Sequence, residues 1–287
     1  MPKIHRHLRG KPHLPVKGDK KPTASTIVQP VPTPQPKKTE KTSWGEVADW
    51  YDTYLETNKD SYQEKVIAPN LLRILDIKKG TRVLDVACGQ GFFTRKFASA
   101  GAGAVGTDIS TELITQAKKR SPGIVYHAAA AHTLPFAKDS SVDIVTIVLA
   151  IQNIENITDV FREARRVLIP GGRLVLVINH PMFRVPKRSS WGWDEKSKKQ
   201  YRRIDGYLSA RTAPILMHPG QKASEATISY HRSLQDFFKA LTKNGFTISR
   251  LEEWISHKKS EAGPRQLPED IARKEIPLFM MLEAMKS

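Results

Sequence analysis

The sequence predicts an α/β protein built on a doubly wound, seven-stranded, mostly parallel sheet with an insertion after the fifth strand. Three observations lead there. From Thr81 onward, short β-branched runs alternate with amphipathic stretches, the pattern of parallel strands whose two faces are covered by helices. The run Val83-Leu84-Asp85-Val86 passes directly into Ala87-Cys88-Gly89-Gln90-Gly91, a glycine-containing turn that opens a helix. At 287 residues and 39% hydrophobic content, the chain can fill one sizeable core.

Residues 1–42 read as an arm outside that fold. The first 43 residues carry eight of the 19 prolines, including Pro30, Pro32, Pro34 and Pro36, with few large apolar side chains, so a disordered or polyproline-II-like segment is expected. The domain is expected over 43–287. It opens at Ser43, where Ser43 and Glu46 have capping-box spacing ahead of a helical pattern of Val47, Trp50, Tyr51, Tyr54 and Leu55. A second helix is expected over Ser61 to Leu75. Strands follow at Arg82 to Val86, Ala104 to Thr107, Ile124 to His127, Val142 to Val148 and Arg173 to Ile178. Helices lie between them near Phe92 to Ala100, Thr111 to Lys119 and Thr158 to Val167, and Pro170-Gly171-Gly172 turns the chain into the fifth strand.

After Asn179 the periodicity dissolves into a basic segment containing Trp191, Trp193, Tyr201 and Tyr207, so residues 180–224 read as an insertion or lid over a site. Order returns with the alternation of Thr227 to Arg232, a helix at Ser233 to Asn244, a strand at Phe246 to Trp254 and a last strand at Pro277 to Lys286. The charges between Lys258 and Arg273 read as a solvated loop.

Composition excludes several classes. The single cysteine, Cys88, permits no internal disulfide and no structural zinc site of several thiolates, which fits a reducing compartment. No apolar run approaches the roughly 18 to 20 residues of a membrane helix, so no membrane partner is expected. Met1 to Val16 lacks the apolar segment of a secretory signal, and cytoplasmic localisation is the expectation. The net charge is +17, with +8 in residues 1–43 and +6 in residues 182–211. Charge concentrated in this way favours polyanions, so RNA or another polyanion remains an alternative partner through the arm and insertion. Oligomeric state is not legible.

The glycine turn is supported by Asp108, which ends the second strand 17 residues after Gly91, where an acid accepts hydrogen bonds from both hydroxyls of a ribose. At these residues the chain resembles the class I S-adenosylmethionine-dependent methyltransferases, over about 43–287. Leu84 to Gly91 is similar to their first motif and Gly106-Thr107-Asp108-Ile109 to the ribose end of their second strand. Ala131-His132-Thr133-Leu134-Pro135-Phe136 resembles their adenine-side loop, and Leu168 to Leu174 the turn before their fifth strand. The resemblance implies a Rossmann-like fold, S-adenosyl-L-methionine as cofactor, no metal, and a cofactor site of Asp85, Ala87, Gly89, Gly91, Asp108, Ile109, Ala130, Ala131 and His132. One departure stands out: the acid often found two residues before the position of Ala131 is missing, which leaves His132 or a backbone carbonyl for the adenine amino group.

Methyl transfer from a sulfonium is an in-line displacement, so a protein supplies orientation, a dry cavity and, for a protonated acceptor, a base. Ligands of open parallel sheets sit beyond the carboxyl ends of the strands, which gathers Asp85, Asp108, Gln152, Asn153, Asn179 and His180 around one crevice. His180 is the leading candidate base and His231 the second, because imidazole titrates near neutrality. Tyr51, Gln152, Asn153, Trp191 and Tyr230 are candidate substrate-facing residues. Gln152-Asn153-Ile154 after the fourth strand resembles small-molecule members, so the expected function is methyl transfer to a small-molecule acceptor. An RNA or ribosome-associated enzyme and a cofactor-binding module without turnover are the alternatives.

A chain beginning at Thr42 is expected to keep its thermal midpoint and its cofactor affinity, because the arm buries too little apolar surface to offset its ordering entropy. Calorimetry of the two lengths side by side checks this, and loss of cooperative unfolding on truncation would show that the arm docks.

Overall fold

The structure is a computed structural model that describes residues 44–45, 48–216 and 226–287, with the side chain of Tyr51 left out. The arm, the Ser43/Glu46 capping box and residues 217–224 of the insertion lie outside the described residues. The described residues all fall in one unit, Glu40–Ser287.

Seven strands form the main sheet: β1 (Arg82–Val86), β2 (Gly103–Asp108), β3 (Val125–Ala128), β4 (Val142–Val148), β5 (Leu168–Asn179), β10 (Phe246–Trp254) and β11 (Phe279–Lys286). Their order is β10-β11-β5-β4-β1-β2-β3, and β11 alone runs antiparallel to its neighbours. The chain therefore winds outward from β1 in both directions, and the switch point lies between β1 and β4.

Side chains two apart share a face of a strand, and the core divides accordingly. Leu84, Val86, Val145, Ile147, Leu174, Leu176, Met280 and Leu282 pack on one face with α5 (Ile157–Val167) and α6 (Leu234–Lys243). Val83, Ile144, Val148, Val175, Val177, Phe279 and Met281 pack on the other with α2 (Ala68–Leu75) and α3 (Phe92–Ser99). At β2 and β3 the cover is α4 (Thr111–Arg120), whose Ile114 and Ala117 meet Tyr126. The N-terminal α1 (Ala48–Thr57) lies against α4, held by Asp52 to Arg120 at 2.6 Å and by Gln116 to Asp49 at 2.6 Å.

Four expectations change. The helix expected over Ser61 to Leu75 is broken into a π-turn at Gln63–Ile67 followed by α2, because Pro69 has no N–H to offer the preceding turn and wider hydrogen bonding accommodates the gap. The turn at Pro170-Gly171-Gly172 lies inside β5 as a bulge: the partner of Val142 is Leu168, but that of Ile144 is Arg173. A Cβ on Gly172 would meet the Ile169 carbonyl at 2.9 Å, so the bulge needs glycine there.

The insertion is ordered where it is described. Hairpin β6 (Ser189–Asp194) with β7 (Lys199–Ile204) pairs Trp191 with Arg202, and β8 (Arg211–Leu216) pairs with β9 (Ala226–His231). β6 and β7 are half-buried to exposed and mix aromatic with polar and charged residues, and β9 buries Thr227, Ser229 and His231, so the apolar periodicity that marks a core strand is absent. Finally, residues 266–275 form α7 (Gln266–Glu275) in place of a loop. Its Leu267 and Ile271 are exposed and only Ala272 is buried, which leaves no apolar stripe to read.

Arg173 joins three elements: Nη1 donates to Glu283 at 2.9 Å, and the guanidinium also donates to the Ile74 and Leu75 carbonyls that end α2. Glu283 is buried, so Arg173→Met is expected to strand its charge and lower stability by about 3 kcal/mol. Urea unfolding of the variant against wild type measures this.

Candidate active site

Three strand ends and the turn after β1 build the crevice. Asp85, nearly inaccessible near the end of β1, accepts from Thr94 Oγ1 of α3 at 2.6 Å and from Thr146 Oγ1 of β4 at 2.9 Å. Asp85 and Thr146 are register partners, so their meeting follows from the strand pairing. Burial raises the Asp85 carboxyl to about 6, against the pull of its two hydroxyl donors. The sequence grouped Asp85 with ligand contacts, but its carboxylate turns inward and holds the strand, the neighbouring strand and the helix together.

Beyond Asp85 the backbone takes left-handed conformations at Ala87 (φ 56°), Gly89 (φ 56°) and Gly91 (φ 81°). Ala87 is not a glycine and carries strain there, as does Leu149 (φ 55°) just past the end of β4. A Cβ on Gly91 would meet the Tyr126 hydroxyl at 2.5 Å, so Tyr126, bonded to Ser121 at 2.9 Å, fixes how close the turn lies to β3. Asp108 at the end of β2 closes the cradle: one oxygen accepts from the Gly89 amide and the other from the Ser110 amide, both at 2.9 Å. Burial pushes its carboxyl upward. Ile109 is exposed beside it, an apolar platform at the mouth. Cys88 lies partly buried in the turn, and burial pushes its thiol well above the ordinary range, away from nucleophilic chemistry.

On the loop after β3, Ala130 and Ala131 are half-buried and His132 is exposed. The Ala130 carbonyl already accepts from the Thr133 amide at 3.0 Å. Glu163 and Arg166 of α5 hold this loop from behind through the Leu134 amide and the Leu134 and Ala137 carbonyls. His127 stacks on Phe136 with ring centroids 3.9 Å apart.

The acceptor side differs from expectation at several residues. His180 is buried, its Nε2 meets Glu253 Oε1 at 2.7 Å, and its Nδ1 faces the Met182 and Phe183 amides at 3.3 and 3.4 Å. Both ring nitrogens are engaged, so this imidazole ties β5 to β10 and has no lone pair to offer an acceptor. His231 keeps one: its Nε2 meets the Tyr207 carbonyl at 2.7 Å, which makes Nδ1 the acceptor nitrogen of the neutral ring, and burial holds it below the ordinary histidine range. Asn153 Nδ2 donates to the Ile228 carbonyl at 2.9 Å and so ties the turn after β4 to β9. Gln152 donates to the Leu149 carbonyl at 2.6 Å. One face of Trp191 is covered by Arg202 at 5.1 Å, and Tyr230 lies under Arg232 at 5.6 Å. Among the described residues no group of three or more His, Cys, Asp and Glu is placed to hold a metal.

Sequence reasoning missed Thr94, Thr146, Tyr126 and Glu253. Thr146, Tyr126 and Glu253 act across strands distant in the chain, and Thr94, nine residues after Asp85, reaches back to it from the helix past the glycine turn.

This constellation defines a Rossmann-like nucleoside-binding domain, with a glycine cradle at the switch point and an acid on the adjacent strand. Residues 84–176 match the family described as a methyltransferase domain. Among curated relatives, a demethylmenaquinone methyltransferase of Chlorobaculum parvum is 31% identical over 156 residues, 53% of this chain and 63% of that protein. One from Renibacterium salmoninarum is 41% identical over 105 residues, 36% of this chain and 44% of that protein. The chain thus spans about half the length of the curated relatives it matches. Among solved structures, an S-adenosylmethionine-dependent methyltransferase from Mesorhizobium loti aligns with TM-score 0.61 at 28% identity, covering 76% of this chain and 96% of that one. The chain is thus similar to class I S-adenosylmethionine-dependent methyltransferases, in the family match over 84–176 and in fold over most of its length.

S-adenosyl-L-methionine is the cofactor of that family, and the cradle suits it. Gln90 Nε2 in the turn is a buried donor without a partner, and Gln152 Oε1 past the end of β4 is a buried acceptor without one. A ligand bearing both an ammonium and a carboxylate supplies the complements of both.

Asp108→Ala is expected to weaken S-adenosylhomocysteine binding roughly ten-fold or more, the loss of one or two charge-assisted hydrogen bonds; calorimetry that finds unchanged affinity rejects the ribose assignment. Asp85 generates a pH prediction. Its folded pKa, about 6, lies above the ordinary 3.8, so its contribution favours the fold below about pH 4 and is lost as pH rises through 6. Asp85→Asn removes that titration, and urea midpoints of the variant are expected to vary less than wild type between pH 4 and 6.

Proposed function

We propose that the protein transfers the methyl group of S-adenosyl-L-methionine to a small-molecule acceptor bound beneath the segment that follows β5. The observation that carries this reading is the bond from Asn153 to the Ile228 carbonyl, which fastens the β8–β9 hairpin to the turn after β4 and makes the insertion a roof at the carboxyl end of the sheet. The Tyr207 hydroxyl, which accepts from the Leu234 amide at 2.8 Å, fastens the same roof to the start of α6. The cofactor, when bound, supplies an electrophilic methyl carbon on a sulfonium. Asp108 would orient the ribose, the Gly89–Gly91 backbone would allow close approach, and Gln90 would meet a polar group of the amino-acid end. The acceptor must then lie in line with the methyl carbon, and the insertion excludes the water that would compete for it.

For an acceptor that loses a proton, His231 is the candidate base, since burial keeps it neutral and Nδ1 carries the lone pair. His180 is a positioning residue for the loop that leads into the roof. The relatives named for demethylmenaquinone, a small molecule, support a small acceptor for this chain.

The salt response of methyl transfer separates this reading from the RNA alternative. Transfer to a small acceptor in a low-molecular-weight cell fraction is expected to change little with salt. Engagement of RNA through several phosphates lowers binding with log salt at a slope of roughly 0.7 to 0.9 per phosphate. Labelled methyl incorporated only into purified RNA, with that steep slope, overturns the small-molecule assignment.

A further inference from the structure

Several arginines among the described residues pair with acids: Arg82 with Asp143, Arg120 with Asp52, Arg166 with Glu163 and Arg173 with Glu283. Three arginines around the loop after β5 form no ion pair among the described residues. Arg184 follows His180, whose carbonyl accepts its amide at 2.8 Å, and its guanidinium is half-buried with no carboxylate partner among the described residues. Arg202 of β7 donates to the Phe183 carbonyl at 2.9 Å and to the Ser189 hydroxyl at 2.8 Å, and it too meets no carboxylate. Arg273 of α7, the helix packed on β7, donates to Ser260 Oγ at 3.0 Å, and Asp270, which accepts from the Ser260 amide at 2.7 Å, lies close enough to feel the Arg273 charge.

Arg202 reaches the carbonyl of the residue before Arg184, and α7, which carries Arg273, packs on β7, which carries Arg202, so the two flank Arg184. Burial first, and then the charges of Arg202 and Arg273, push the Arg184 guanidinium down to about 10, offset only by Tyr62, and burial lowers Arg202 as well. The acids of this region are spent elsewhere: Glu253 on His180, Glu195 on Lys198 and Arg265, Asp60 on His257 and Lys258. Asp270 gives Arg273 a counter-charge, but Arg184 and Arg202 are partly desolvated without one, which is costly unless a ligand supplies it. The guanidinium fork matches the two oxygens of a carboxylate or phosphate. The location also suits a substrate. Tyr62 packs edge-on against Phe279 at 5.6 Å, and Phe279 pairs with Asn179, the last residue of β5, so the cluster stands at the carboxyl end of the sheet on the acceptor side.

We infer that Arg184, Arg202 and Arg273 form a binding site for an oxyanion, a carboxylate or phosphate group carried by the methyl acceptor, an inference that rests on the methyl-transfer reading above. The experiment titrates the full chain with inorganic phosphate in one arm and benzoate in the other, at constant ionic strength, and reads the thermal midpoint. S-adenosylhomocysteine affinity is measured separately by calorimetry. One of the two probes is expected to raise the wild-type midpoint saturably. Arg184→Gln is expected to weaken that probe roughly ten-fold or more, to leave S-adenosylhomocysteine affinity unchanged, and to unfold no earlier than wild type without the probe, since it relieves repulsion. If Arg184→Gln does not fold, Arg202→Gln carries the same comparison. The inference is overturned if neither probe binds the wild type, if the variant binds it as tightly, or if only an RNA oligomer binds. Failure of the methyl-transfer reading appears separately, as loss of S-adenosylhomocysteine binding in the wild type with the anion titration intact.

Discussion

The carboxylate of Asp85 accepts one hydrogen bond from Thr94 and one from Thr146, and through these two contacts β1, β4 and α3 share a single buried anchor. β1 and β4 flank the switch point, and α3 begins right after the glycine turn. Fixing the three together therefore fixes the path of Ala87 to Gly91, the segment whose backbone must approach a ligand. The anchor is held under tension, because burial works against the charge of Asp85 and the nearby charge of Asp108 adds to it. A buried carboxylate with both oxygens satisfied is tolerated; stripped of either threonine, one oxygen would be left without a donor in the core.

From that anchor the rest of the crevice follows outward. Asp108 bridges the Gly89 and Ser110 amides, so the turn after β1 and the start of α4 are drawn to one carboxylate. Tyr126 fills the space that Gly91 and Gly106 leave open, which sets the depth of the cradle from below. Arg95 of α3 reaches Gln90 in the turn and Glu56 in α1, and α1 is tied in turn to α4 through Asp52 and Arg120. Local strain at Ala87 and Leu149 is thus held in place by surrounding structure that over-determines it.

The acceptor side is built by a different logic. Its elements are short hairpins, and polar contacts such as Asn153 to Ile228, His231 to Tyr207 and Tyr207 to Leu234 fasten them to the sheet and to α6. Aromatic faces there are covered by arginines of the same chain: Trp191 by Arg202 and Trp193 by Arg265. Positive charge in this segment is therefore partly consumed in packing.

The sequence by itself determined the sheet, the glycine turn and the acid at the end of β2, because each rests on local periodicity or on a spacing within one strand-turn-helix unit. Val142–Val148 is an example: apart from Asp143 at its edge, every residue is apolar or β-branched, and the run Ile144 to Val148 is buried. Tertiary structure alone decided what each polar group is free to do. Asp85 and His180 carry functional-looking residue types at functional-looking positions, yet register brings Thr146 beside one and β10 brings Glu253 beside the other, and both are consumed internally. Likewise nothing local separates Arg184 from the ion-paired arginines of the chain. Whether a charge has a partner depends on which distant segments the fold sets against it, and that distance is not written in the spacing of the sequence.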